Sequence, residues 1–160
     1  MEAIFKYTTE QYEAVLGSRH ALLEYCKTIS QPDLIHENSS FGRGGSIRNL
    51  LVHIANVYEF WIAKNALSKN ISFTDYQSKQ SIGEIVTLFH QVDIFMNEFM
   101  DSFQLPETKQ IIYEMNGSWN SVSRLKLFTH TITHEFHHKG QILSISRHLG
   151  YTPVDTDIIR

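Results

Sequence analysis

The chain has 160 residues, 42% of them apolar, with 14 basic and 17 acidic side chains for a formal charge of -3. That length predicts a single domain over residues 1–160, large enough to bury a core without disulfides. The charge balance lacks the basic face that nucleic acid requires, and no apolar run is long enough to span a bilayer, so neither is an expected partner.

From Thr8 or Thr9 to Ile29 the residues Tyr12, Val15, Leu16, Leu22, Leu23, Cys26 and Ile29 recur at helical spacing, with Thr9 as the expected cap. Cys26 on that stripe reads as a small buried hydrophobe. As the single cysteine it cannot form an internal bridge, and Met1 to Lys6 carry no basic, apolar leader, so the expected address is the reducing cytoplasm. Pro32 and the polar, glycine-bearing stretch from His36 to Gly45 end this helix.

Ser46 opens a second helix in which Ile47, Leu50, Leu51, Ile54, Val57, Tyr58, Trp61 and Ile62 keep the helical rhythm, fading between Ser68 and Asn70. Ser81 followed by Glu84 forms a capping box, and Ile82, Ile85, Leu88, Phe89, Val92, Phe95, Met96 and Phe99 continue a third helix to about Phe103, before Pro106. Between Lys109 and Trp119 a short strand and an ordered loop with a turn at Asn116-Gly117 both fit; the segment is read as irregular. A fourth helix is predicted from Ser118–Ser121 through Leu125, Phe128, Ile132, Phe136, Ile142, Ile145 and Leu149, about 29 residues and roughly 43 Å long. Gly150 is its expected left-handed stop, with Pro153 just beyond. Trp119 would then sit either at the bundle mouth near a site or as a packing anchor. Four long helices with modest connections and no repeated strand signal predict an all-α four-helix bundle, an architecture that builds metal sites from facing helices.

The chain holds 9 histidines, and the densest group is His134-Glu135-Phe136-His137-His138-Lys139-Gly140-Gln141. In a helix, positions four apart stack on one face with Cβ atoms roughly 6 Å apart, so His134 and His138 can share one ion at about 2.0–2.1 Å each. Two ligands hold a metal weakly; the best third donor is His53, within the apolar run Leu50 to Ala55. Burying several imidazoles without partners costs free energy, whereas a divalent cation uses their lone pairs. His130 and His137 share the broad histidine face, the first as a neighbour of the ligands and the second toward the bundle edge. His20, His36 and His148 lack a motif and read as surface residues, and His90 could face inward without anything selecting it.

Residues 134–138 also match H-E-x-x-H, in which Glu135 would be the general base of a zinc peptidase. The remainder of such a signature is missing: Gln141 and Ser144 stand where a metzincin needs Gly and His, and no Glu follows Glu135. Glu135 lies about 100° around the helix from His134 and is expected to face solvent. Glu135 and Gln141 remain the weak candidates for moving protons or orienting ligands.

Three stretches, Ser46-Ile47-Arg48-Asn49-Leu50-Leu51-Val52-His53-Ile54, His134 to Ile142, and Leu149-Gly150-Tyr151-Thr152-Pro153-Val154-Asp155-Thr156-Asp157, together with helix order and length, resemble the DinB-like family, also called the DinB/YfiT superfamily. Carried over by position, the resemblance implies His53, His134 and His138 as metal ligands. It further implies a divalent metal, usually nickel or zinc, and frequently a homodimer; some relatives are enzymes that use a low-molecular-weight thiol in transfer or isomerisation. The expected function is a metal-dependent enzyme activating a thiol or water for attack on a small electrophile, as a transferase or hydrolase. The alternative is a non-enzymatic metal-binding module of a stress response.

Overall fold

The computed structural model describes residues 2–37, 39–40, 45–106 and 110–160. They are mostly helical, with α1 (Glu2–Cys26), α2 (Gln31–Ile35), α3 (Ile47–Tyr58), α4 (Ile82–Asp101) and α5 (Arg124–His148), plus a hairpin of β1 (Ile111–Met115) and β2 (Ser118–Val122). The four long helices share one core, with α3 packed on α4 and α5, and α1 on the same two. Tyr12 and Leu22 of α1, Leu50, Leu51, Ile54 and Tyr58 of α3, Phe89 and Phe99 of α4, and Phe128 and Ile142 of α5 are almost fully buried. Each such side chain stabilises the fold by about 1.5–3 kcal/mol relative to exposure. No helix among the described residues is long and apolar enough to cross a membrane.

Local chemistry explains most of the boundaries. Ser46 accepts from the Asn49 N–H at the start of α3, and Ser81 and Glu84 complete their capping box on α4. Gly150 has φ +91°, and the N–H groups of Gly150 and Tyr151 bond to the carbonyls of Arg147 and Ser146, a Schellman closure of α5. Of the polar stretch 36–45, residues 38 and 41–44 lie outside the described residues, as does Lys109.

Five features differ from the sequence reading. Thr8 and Thr9 do not cap α1: their hydroxyls bond back to carbonyls of Ile4 and Phe5, so the helix starts earlier, at Glu2, and stops at Cys26. Ser30 caps the extra short helix α2, with Pro32 in its first turn, where the missing N–H costs nothing. The segment read as irregular is the antiparallel hairpin, Ile111 opposite Val122 and Met115 opposite Ser118. Asn116 and Gly117, with φ of 53° and 73°, make the two-residue turn in which both central residues are left-handed. That hairpin consumes residues 118–122, so α5 begins only at Arg124, capped by Ser123. Finally, α3 runs on as a π-helical segment, Glu59–Ala66, whose wider bonding changes the phase of the residues it carries.

Candidate metal centre

Facing turns of α3 and α5 bring His53, His134 and His138 together, each offering a ring nitrogen within 4.8 Å of the others. Nε2 of His134 lies 3.3 Å from Nε2 of His53 and 2.9 Å from Nε2 of His138. Two nitrogens bound tetrahedrally at about 2.0–2.1 Å stand roughly 3.3 Å apart, so this donor set fits a single first-row divalent ion with little adjustment. Ring nitrogens that face one another at these distances are an arrangement a cation can satisfy with their lone pairs.

Electrostatics keep the two rings of α5 neutral. Burial pushes His134 down to about 4, helped by repulsion from His138, His53 and two further imidazoles, and burial likewise lowers His138. A neighbour fixes the tautomer of His138. Gln141 Oε1 sits 2.6 Å from Nδ1 of His138 and accepts its proton, leaving the Nε2 lone pair directed at the other rings. The Tyr76 hydroxyl lies 3.4 Å from Nδ1 of His53. Tyr76 is held there because Asn56 grips the Thr74 backbone, with Nδ2 donating to its carbonyl at 2.9 Å and Oδ1 accepting from its N–H at 3.0 Å.

The other histidines are arranged around this group. His130 is exposed at the rim, its ring 5.7 Å from that of His134 and 5.2 Å from that of Trp61. His137 is exposed, and its Nε2 accepts from Gln141 Nε2 at 3.1 Å. His20, His36, His90 and His148 are exposed, so His90 does not face inward. Trp119 is 73% exposed on the outer side of the hairpin and anchors nothing; Trp61 and Tyr113, with rings 4.8 Å apart, are the aromatics at the rim. Cys26 is buried, and its thiol is pushed up to about 12, which leaves it unreactive.

Glu135 does not face solvent. It is 1% exposed, pointing into the core on the other side of α5 from the histidines, because partners from other helices meet it there. Oε1 accepts from Arg19 Nε at 3.1 Å and Lys139 Nζ at 2.8 Å, and Oε2 from Arg19 Nη2 at 2.7 Å and the Tyr58 hydroxyl at 2.7 Å. Burial opposes its charge, but Arg19 and Lys139 outweigh that and hold the carboxyl down at about 2. Such a carboxylate is a poor proton acceptor at neutral pH, so the H-E-x-x-H string supplies no general base here. Arg19 also binds Asp93 Oδ1 at 2.5 Å, and Lys139 donates to Ser18, whose hydroxyl bonds the Thr156 carbonyl. The network thus joins α1, α4, α5 and the C-terminal tail.

The sequence reading missed Arg19, Lys139, Tyr58, Tyr76 and Trp61. A signal existed for the first two: Arg19 falls on the apolar stripe between Val15 and Leu22, and Lys139 lies one turn after Glu135. Tyr76 lies in an irregular connection, which carries no periodic pattern to place it.

Helices that bring three imidazoles this close define a mostly helical protein with a three-histidine group that could hold a metal ion. Residues 4–160 match the model of the DinB family, and the chain belongs to that family. No curated protein matches it.

Proposed function

We propose that this chain is a four-helix-bundle member of the DinB family in which His53, His134 and His138 hold nickel or zinc, and that it is an enzyme directing a thiol or water onto a small electrophile. The observation that carries this reading is the convergence of three ring nitrogens within 4.8 Å from two different helices. Among the described residues no Asp, Glu or Cys joins the group, and three protein ligands rather than four is the pattern of a site with a position left for an exchangeable partner. A divalent ion in such a site favours the deprotonated form of water or a thiol near neutral pH. Gln141 holds the proton of His138 away from the ligand nitrogen, and the Tyr76 hydroxyl stands beside Nδ1 of His53. The half-buried setting of His53 and His134 keeps one side of the group open to a small molecule. A homodimer is the expected assembly, which sedimentation velocity reads directly.

The test is metal content and turnover of protein purified without a histidine tag, beside His53→Ala. The expected result is about one ion per site in the wild type and none in the variant. Turnover of an electrophile, with a low-molecular-weight thiol or with water, should follow the metal. Equal metal content in both proteins removes His53 as a ligand. Full occupancy without turnover on any thiol or water favours the non-enzymatic module.

A further inference from the structure

Next to the histidines, the π-helical segment, the hairpin and the start of α5 build a feature that metal ligation does not use. Trp61, Tyr113, Val122, Lys126, Leu127 and His130 line a recess of about 120 Å³. Lys126 and His130 also border a shallower groove that runs along α5 to Thr133. The Trp61 ring packs edge-on against Tyr113 at 4.8 Å and His130 at 5.2 Å, and the His130 ring lies 5.7 Å from that of His134. Recess and histidine triad therefore share a wall.

Its lining has a surplus of donors. The Trp61 indole N–H, the Tyr113 hydroxyl, the Lys126 ammonium and the His130 ring make no side-chain hydrogen bond or ion pair among the described residues. An indole N–H and an ammonium can only donate, and no carboxylate lines the recess to receive them. Lys126 stands in the first turn of α5, where the helix dipole adds to its positive field. Between these donors the walls are apolar: Val122, Leu127 and the aromatic faces. Cavities of about 150 Å³ lined by apolar side chains take up a benzene ring, so this space suits one small ring or a short branched chain.

We propose that the recess binds a small organic carboxylate, its apolar body between Trp61 and Leu127 and its anionic group on Lys126, so that the substrate's reactive end reaches the three histidines. The catalytic meaning rests on the metal reading above, whereas the recess is built without any of the three ligands. Its preference would be for acids over their neutral amides, because the amide offers Lys126 no charge.

Benzoate and benzamide titrated into the full chain, metal-loaded and after EDTA treatment, test this through the indole N–H resonances of isotopically labelled protein. The expected result is that benzoate shifts Trp61 in both forms while exposed Trp119 stays still. Benzamide should bind at least about tenfold more weakly, and Lys126→Met should weaken benzoate by a similar factor, as loss of a charge-assisted hydrogen bond implies. Lys126 is exposed, so this variant keeps the fold. No shift of Trp61, or a shift that needs metal and ignores Lys126→Met, overturns the inference, since the anion would then sit on the ion itself. Benzoate binding in a protein that never takes up metal would sink the proposed function and leave the recess standing.

Discussion

His134 and Glu135 are consecutive, yet they lie on two faces of α5 that solve the burial of polar groups in opposite ways. On one face, His134 and His138 are kept uncharged and turn their lone pairs toward His53. On the other, Glu135 is fully charged and surrounded by four donor contacts from Arg19, Lys139 and Tyr58. The first face presents three ring nitrogens that could hold a cation; the second pairs its charges within the chain. About 100° per residue separates neighbours on a helix, so a five-residue string holds no chemistry of its own until the other helices decide what each side chain meets.

The largest difference between the faces should appear on removing one charge from the closed side. Glu135→Gln leaves Arg19 and Lys139 buried with too little negative charge, and unfolding by urea should show a loss of about 3–5 kcal/mol. Its metal affinity, measured by competition with a chromophoric chelator, should remain within about twofold, as expected for independent sites. A collapse of affinity with little loss of stability would instead place Glu135 in the metal site.

Gln141→Leu should do the reverse. Loss of the acceptor on His138 Nδ1 is expected to weaken metal about 10–100-fold in the same competition, with small change in stability. An unchanged affinity would mean that the Gln141 contact orients nothing.

Acid should separate the faces in sequence. In metal-free protein His134 titrates near 4 folded against an ordinary value of 6.5, so the unfolded chain takes up a proton first and stability falls as pH drops through that window. Glu135, near 2 folded against an ordinary 4.5, extends the fall from about 4.5 downward by the same sign. Thermal midpoints across pH should therefore decline in two stages, the upper one reduced in His134→Ala, with the His138 share remaining, and the lower one reduced in Glu135→Gln. A single stage that survives both substitutions contradicts the assignment.

Least of all should happen at Trp119. With 73% of its surface exposed, Trp119→Ser is expected to alter stability by no more than about 0.5 kcal/mol, read by the same urea titration.

Spacing alone brought out the open face, because two imidazoles one turn apart and a third in an apolar helical run are visible without knowing how helices pack. The closed face depends on Arg19 and Asp93, residues 116 and 42 positions before Glu135, and only tertiary packing assembles it. The apolar stripes of α3, α4 and α5, the caps Ser46 and Ser81 and the stop at Gly150 were evident in the same local way, whereas the Ser123 cap of α5 was not. The hairpin was not, although its Asn116-Gly117 turn was noticed: the short strands hold exposed Ile112 and Trp119 and polar Asn120, which blur the alternation that marks a strand. The π-helical segment has no signature in residue type, and it carries Trp61 to the rim of the site.

X-ray absorption at the metal edge of tag-free protein interrogates the centre itself. The spectrum should show imidazole scattering from three ring nitrogens at about 2.0–2.1 Å, with one imidazole fewer in His138→Ala. A shell of oxygen without imidazole scattering, or one indifferent to that substitution, would contradict the proposed centre.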